Sequence, residues 1–317
     1  MESLKEAIRD KRNIKENSLN AYIISLRKIH EKTGADLDFK NLNWLKNESK
    51  IMNFLNSLKL ATRKNYIAAI IVALSTDNKY KTESQFYREE LDKIAKQYND
   101  NIKEQKKTET QETNWVSLAK LRKVMRYYKS QIKQKGLLKK EPGDLTSKQF
   151  ELFQKWVVCV LYLLDENPPL RNDYIMQVIS ITDYENLKED ELLKNYLVIK
   201  SRNTKFFHLG EYKSSKKYGI KKIPVGTKLN SVLNIWLKYN KSGYLLLNSK
   251  KEPITPNGLT KFLNKTFEPT GKDNISSTMI RHIFISEKIG GPSIKEKEEL
   301  ADKMGHNIET QSTYKKL

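Results

Sequence analysis

Residues 146–164, "TSKQFELFQKWVVCVLYLL", determine how the second half of this chain folds. The run becomes almost entirely apolar toward its end, which is typical of a helix in a hydrophobic core. It contains Cys159, the only cysteine of the chain, so a disulfide within the chain and a cysteine-cluster metal site are both excluded. We predict a buried core helix here and interpret Cys159 as a small core residue.

The sequence on the amino-terminal side of this helix indicates a second domain. Residues 115–134 have helical periodicity and, with 146–164, open the carboxy-terminal domain. Residues 99–114, "NDNIKEQKKTETQETN", contain a single aliphatic side chain and predict an interdomain linker. Residues 1–98 predict a small all-helical domain, with amphipathic helices at 17–33, 49–58, 61–75 and around 84–98. The expected organisation is therefore domain 1–98, linker 99–114 and domain 115–317.

The sequence after the core helix predicts a small sheet followed by helices. Three short β-like runs, separated by polar turns, predict an antiparallel sheet from residues 195–200, 204–210 and 218–225. Helical patterns return at 227–239, 255–267, 275–289 and 295–304, and "GGP" at 290–292 is expected to close one of these helices. The fold class is thus predicted as mainly α with a small antiparallel β-sheet.

The charge of the chain favours nucleic acid as its partner. Lysine and arginine number 59 against 38 acidic residues, which gives a net charge of +21. Most of this surplus lies in residues 106–317, and it repels itself unless a polyanion is nearby. A lysine-rich solvated surface that reflects an AT-biased genome would give the same surplus. The sequence lacks both an apolar run of the roughly 20 residues that span a bilayer and a secretory signal, so we expect an intracellular protein with no membrane partner.

Two arginines lie where an anion would be expected. Arg171, in "NPPLRNDY" (167–174), follows two prolines, and a helix that begins at Leu170 or Arg171 would bring its guanidinium to a helix amino terminus, where anions bind. Arg281, in "SSTMIRHIF" (276–284), lies among apolar neighbours and needs an anionic partner. Each arginine could instead pair with an internal carboxylate such as Asp173 or Glu287.

The end of the chain, "MGHNIETQSTYKKL" (304–317), adds a histidine and a tyrosine to these arginines. An arginine after a helix-ending turn, a lysine in a β-hairpin, a helix that carries "RH", and "MGH" followed by a tyrosine resemble, in this order, the motifs of tyrosine recombinases. These are DNA strand-exchange enzymes of the phage-integrase type. The resemblance extends over roughly 116–317, and residues 1–98 are similar to the family's helical core-binding domain. "PPLRNDY" and "YKSSKKYG" look most like the versions carried by large DNA viruses and related mobile elements.

The resemblance implies a covalent mechanism. Tyr314 would attack a scissile phosphate of double-stranded DNA, giving a 3′-phosphotyrosyl link and a free 5′-hydroxyl. Arg171 and Arg281 would bind the non-bridging oxygens. Because the covalent bond stores the energy of the cleaved linkage, neither a metal, a cofactor nor ATP is expected. Strand exchange in the family implies a homotetramer on two paired duplexes.

The remaining site residues also follow from the resemblance. Lys213, with Lys216 as a second candidate, would protonate the leaving 5′-oxygen, and His306 would hydrogen-bond the same phosphate. Thr278 stands where the family commonly has a histidine, and it can donate a hydrogen bond but cannot titrate near neutral pH. His282 matches a position that is usually structural in the family, so we leave it outside the predicted site.

Two other functions stay open at this point. Thr278 and the short segment after Tyr314 suit a catalytically decayed relative that only binds DNA. A type IB topoisomerase would share the phosphotyrosyl chemistry, although the resemblance of residues 1–98 to a core-binding domain argues against it.

Overall fold

The structure, a computed structural model, describes residues 2–34, 38–288 and 294–316. The chain forms two compact units, Met1–Glu104 and Gln105–Leu317. Their boundary lies inside the range 99–114 that we predicted as a linker, but this range is not irregular. One helix continues through it to Lys103, and Thr108 begins a short helix with a capping box. Local hydrogen bonds therefore give helical structure to a segment that has almost no apolar side chains.

The first unit is all-helical. Its helices are α1 (Glu2–Lys11), α2 (Glu16–Thr33), α3 (Glu48–Asn56), α4 (Leu60–Leu74) and α5 (Lys81–Lys103). The four predicted helices are confirmed as α2 to α5, and α1 is an addition that the sequence pattern did not indicate. The central helix α4 packs against both α2 and α5, and the apolar stripes of these helices form one core.

The second unit combines ten helices with four strands within its described residues. They are α6 (Glu109–Asn114), α7 (Leu118–Gln134), α8 (Ser147–Leu163), β1 (Gln177–Ser180), α9 (Ile181–Glu185), β2 (Asn195–Ile199), β3 (Lys205–Leu209), α10 (Ser215–Tyr218), β4 (Lys221–Pro224), α11 (Thr227–Tyr239), α12 (Pro256–Phe267), α13 (Ser277–Lys288), α14 (Ile294–Lys303) and α15 (Ile308–Tyr314).

The sheet is mixed and has the strand order β1-β2-β3-β4. The predicted antiparallel arrangement of β2, β3 and β4 is confirmed. Strand β1 was not predicted, and it pairs with β2 in parallel. It has only four residues and no alternation of buried and exposed positions, so its sequence carries no strand signal. The fold class, mainly α with a small sheet, is confirmed.

Helix α8 is the centre of the second unit, as the sequence predicted. Every residue from Trp156 to Leu163 is buried, Cys159 among them. Helices α7, α11, α12 and α13 all pack against α8. The capping box formed by Thr146 and Gln149 starts this helix on the loop that precedes it.

The helix expected to begin at Leu170 or Arg171 does not form. The chain from 164 to 176 is a loop that leads into β1, because Asp173 accepts the backbone N–H of Arg171 in a local turn. Arg171 is therefore held by a loop and not at a helix amino terminus. The predicted stop at "GGP" (290–292) lies outside the described residues.

None of the helices in the described part of the chain is long and apolar enough to cross a lipid bilayer.

Candidate active site

The loop after α8 fixes Arg171. The Tyr162 hydroxyl donates to the Arg171 carbonyl at 2.6 Å, and the Arg171 N–H donates to the Asp173 carboxylate at 3.2 Å. The guanidinium of Arg171 bonds a different partner. Its Nη2 donates to the hydroxyl oxygen of Tyr314 at 2.7 Å, which joins residues 143 positions apart in the sequence.

Arg281 is fully buried on α13 and has no carboxylate partner among the described residues. Its Nη1 donates to the Pro169 carbonyl at 2.6 Å, and its Nη2 lies 2.9 Å from Nδ1 of His306. Glu287, a possible partner from the sequence, instead accepts the N–H of Leu118 at 2.6 Å. Burial lowers the pKa of the guanidinium, although an arginine stays charged at neutral pH. A buried cation that only neutral groups contact is suited to receive an anion from outside the protein.

Two local signals place His306 beside Arg281. Gly305 has a φ of +70° in the left-handed region, which ends α14, and the His306 N–H returns to the Ala301 carbonyl at 3.0 Å. The side chain of Asn307 then caps α15 by accepting the N–H of Thr310 at 2.8 Å. His306 is thus held between the end of one helix and the start of the next.

The contacts of His306 determine its tautomer. A guanidinium can only donate, so Nδ1 of His306 accepts from Arg281 and the ring proton of the neutral form lies on Nε2. Burial, together with the charges of Arg281, Arg171 and Lys221, lowers its pKa to about 3, so the ring is neutral at physiological pH. Both Nε2 of His306 and Nε of Arg281 are buried and have no hydrogen-bond partner among the residues that the structure describes. Two N–H donors therefore remain free for an acceptor at this site.

Tyr314 lies between these donors at the last residue of α15. Its ring stacks on that of His306 with centroids 5.5 Å apart, and the Arg281 guanidinium carbon lies 4.9 Å from the tyrosine ring centroid. Burial raises the pKa of the phenol, but the charges of Arg281 and Arg171 outweigh burial and lower it overall. The site therefore contains a phenol activated toward its anionic, nucleophilic form.

Replacing Arg171 by methionine should raise the pKa of Tyr314, because only the charge of Arg281 would then oppose the effect of burial. The measurement is a pH titration of the ring carbons in protein labelled with 13C-tyrosine. In the native protein Tyr314 should titrate below the ordinary tyrosine value of about 10, and Arg171→Met should move its titration upward. A native Tyr314 that titrates at or above that ordinary value would contradict the assigned electrostatics.

The neutral state of His306 predicts a pH dependence of stability. Its pKa falls from 6.5 in the unfolded chain to about 3 in the folded one, so the unfolded chain binds more protons between these values. Above pH 6.5 His306 is neutral in both states and does not change the free energy of unfolding. As the pH falls below 6.5, protonation of the unfolded chain lowers that free energy. From pH 7 to 5 the native protein should lose about 2 kcal/mol more of its unfolding free energy than His306→Gln. Urea denaturation at the two pH values measures this, and equal losses in both proteins would refute it.

His282, which we left outside the predicted site, holds Tyr314 in place. Its Nδ1 lies 2.8 Å from the Tyr314 carbonyl, which can only accept, so Nδ1 carries the proton. The two rings pack with centroids 4.9 Å apart. One turn further along α13, the Ser286 hydroxyl accepts the N–H of Lys316 at 2.7 Å. Two side chains of α13 thus bind the backbone on both sides of residue 315.

We expect His282→Ala to loosen α15, because it leaves the Tyr314 carbonyl without its donor at a cost of about 1–3 kcal/mol. Amide hydrogen exchange in residues 308–314 should become faster by about tenfold or more. His282→Asn keeps an N–H donor close to the position of Nδ1 and should restore most of the protection. If Asn exchanges as fast as Ala, the hydrogen bond to Tyr314 is not what holds the helix.

Lys213 and Thr278 are not brought into contact with the other predicted residues. Lys213 is exposed between β3 and α10, although the neighbouring Ser214 donates to the Gly305 carbonyl at 2.6 Å. Thr278 is exposed in the first turn of α13. Lys216, the second candidate for the leaving-group acid, is also exposed. The predicted residues that the structure brings together are Arg171, Arg281, His306 and Tyr314, and His282 contacts Tyr314 beside them.

The chain was also compared with known proteins. No protein-family model matches it, and no curated protein gives a significant match. Among solved structures, a crystal structure of XerA recombinase is similar to the chain over 99% of this chain and 92% of that one, with 9% identity and a TM-score of 0.41.

Proposed function

We propose that this chain is a site-specific DNA recombinase of the tyrosine recombinase type, which cleaves and rejoins double-stranded DNA through Tyr314. The phenol oxygen attacks the scissile phosphorus and loses its proton, and the bond from phosphorus to the 5′-oxygen breaks. The 5′-oxygen leaves with a proton, and the 3′-phosphate stays bonded to Tyr314. A 5′-hydroxyl from another strand reverses these steps and releases the tyrosine.

The contact of Tyr314 with two guanidiniums that have no carboxylate within ion-pair distance in the described part of the chain carries this proposal. Arg171 donates to the phenol oxygen at 2.7 Å, and the Arg281 guanidinium carbon lies 4.9 Å from the ring. A phosphodiester is an anion, and charge grows on its non-bridging oxygens during attack. Guanidiniums bind such oxygens through paired hydrogen bonds. The same two cations thus favour the phenolate and stabilise the transition state.

The unpartnered donors of the site support phosphate binding. Nε of Arg281 and Nε2 of His306 are buried N–H groups without acceptors in the described part of the chain. Phosphate oxygens would satisfy both of them. In this proposal His306 acts as a neutral hydrogen-bond donor, since its low pKa excludes an imidazolium at neutral pH.

The leaving group requires a proton donor, and we retain Lys213 for that role. Its neighbour Ser214 bonds the Gly305 carbonyl next to His306, so a small movement of an exposed side chain would suffice. Thr278 lies one helical turn before Arg281 and is proposed as a secondary hydrogen-bond donor to DNA. Exchange between two duplexes needs four cleavages, so we propose a tetramer on paired sites.

The test is covalent trapping on nicked DNA. The target sequence is unknown, so the native chain is incubated with duplexes that contain a randomised segment and a nick just beyond it. Cleavage near the nick releases a short 5′-hydroxyl fragment, and rejoining then fails. We expect protein-linked strands that survive denaturation, and sequencing them identifies the site.

The other candidate functions predict different outcomes. Sequence-independent relaxation of a supercoiled plasmid without strand exchange would indicate a topoisomerase. Specific binding with no covalent product across the whole library would indicate a DNA-binding protein without cleavage activity. Either result contradicts the proposal.

A further inference from the structure

A trough with an apolar floor and basic rims crosses the second unit between α7, α8 and α11. Its volume is about 550 Å³, within the range of typical ligand-binding pockets. The floor is formed by Trp156 and Val160 of α8, which are buried, and by Leu164, which directly follows the helix and is half-buried. Trp156 and Val160 are four residues apart and therefore lie on one face of α8.

Both flanking helices contribute apolar side chains to the walls of the trough. Helix α7 contributes Met125 and Ile132, and α11 contributes Val232 and Ile235. A stripe of seven residues spans about 10 Å of helix, or two turns. At one end lies Leu138, which is 44% exposed. The apolar surface open to a partner comes from the half-buried side chains of Met125, Leu164, Val232 and Ile235 and from the exposed Leu138.

Cations line both rims. Arg126, Lys129 and Lys133 follow one edge of α7, and Lys228 stands on α11. None of these four has an ion-pair partner among the described residues, and no acidic residue lines the trough. The positive charge of both rims is thus available to a partner.

We propose that this trough binds an acidic amphipathic helix of a partner protein. Apolar side chains at positions i, i+4 and i+7 of that helix match the length of the floor, and Asp or Glu on its flanks would meet the lysines and Arg126. Apolar burial provides the affinity, and the charged rims fix the orientation and speed the encounter.

The charge and the floor distinguish this occupant from two others. A second copy of this chain has a net charge of +21 and would bring like charge to basic rims. Phosphates of a duplex would pair with the rims but offer nothing apolar to the floor of Trp156, Val160 and Leu164. The proposal does not depend on DNA cleavage, so it can fail while the proposed function stands.

Fluorescence anisotropy of a labelled peptide tests the proposal. The probe is a helical peptide of about 18 residues with leucines on one face, glutamates on both flanks and alanine elsewhere. The full chain should bind it in the micromolar range. A peptide of the same composition with its leucines distributed around the helix should bind at least about tenfold more weakly, because it has no apolar face.

Variants identify the surface. Lys129→Glu with Lys133→Glu should weaken peptide binding at least about tenfold. The matched pair Lys120→Glu with Lys123→Glu makes the same charge change on exposed positions of α7 that do not line the trough, and should stay within about twofold. Ile235→Gln, which keeps the charge, should also weaken binding. Circular dichroism confirms that each variant is folded.

Three results would overturn the proposal. The scrambled peptide could bind as well as the amphipathic one, or the two lysine pairs could weaken binding equally. Alternatively, a short duplex could displace the peptide while Lys129→Glu with Lys133→Glu loses duplex affinity more than the control pair, which would assign the trough to DNA.

Discussion

Tyr314→Phe is expected to abolish covalent attachment to DNA, with the rate of adduct formation falling by about 10⁴-fold or more. The substitution removes a single oxygen, which is the atom that Arg171 contacts at 2.7 Å. The ring would still stack on His306 and pack on His282, so α15 should stay in place. The measurement is the single-turnover rate on a nicked duplex selected from the library.

The matched control is Tyr127→Phe, which removes a phenol oxygen from an exposed side chain of α7. It should form the adduct at the native rate. If Tyr314→Phe forms the adduct within tenfold of the native rate, another residue is the nucleophile.

Arg281→Met should reduce the cleavage rate by about 10³-fold while it leaves the fold intact. The guanidinium is buried and has no carboxylate within ion-pair distance among the described residues, although its charge acts on the nearby buried carboxylate of Asp173. Methionine removes the cost of burying the cation but leaves the Pro169 carbonyl without its donor. These effects oppose each other, so the free energy of unfolding should change by less than about 2 kcal/mol.

Arg122→Met is the control for this variant. Arg122 donates to the Leu163 carbonyl and pairs with Asp165 at 2.7 Å. Its loss should cost some stability and leave the cleavage rate within a few-fold. An Arg281→Met protein that cleaves at the native rate would exclude Arg281 from the reaction, and one that unfolds would assign it a structural role.

The core of the second unit could be predicted because the sequence of α8 is itself typical of a buried helix. The run around Cys159 is too apolar for a surface helix, and its neighbours α7, α11 and α13 show helical periodicity. Strand β1 could not be predicted, because three half-buried residues and one exposed residue make no alternating pattern. The turn at Arg171 was missed because two prolines suit both a helix start and a loop. The Asp173 side chain decides between them by taking the Arg171 N–H.

The pairing of Arg281 with His306 and Tyr314 was expected from motif order, but the role of His282 was not. Neighbouring residues of a helix point about 100° apart, so a single buried stripe does not include both Arg281 and His282. Helix α15 packs against the side of α13 that carries His282, which only the folded structure shows. The order of motifs predicted Lys213 and Thr278 as site residues, but both side chains are exposed. Motif order does not determine where an exposed side chain points.

The most direct test of the central claim is to map the DNA adduct by tandem mass spectrometry. Trypsin should release residues 304–315 as one peptide, because Lys303 and Lys315 bound it. We predict that this peptide carries the mass of the trimmed nucleotide on Tyr314 and that no other tyrosine does. A nucleotide on a different residue, or no covalent product from any sequence in the library, would contradict the account.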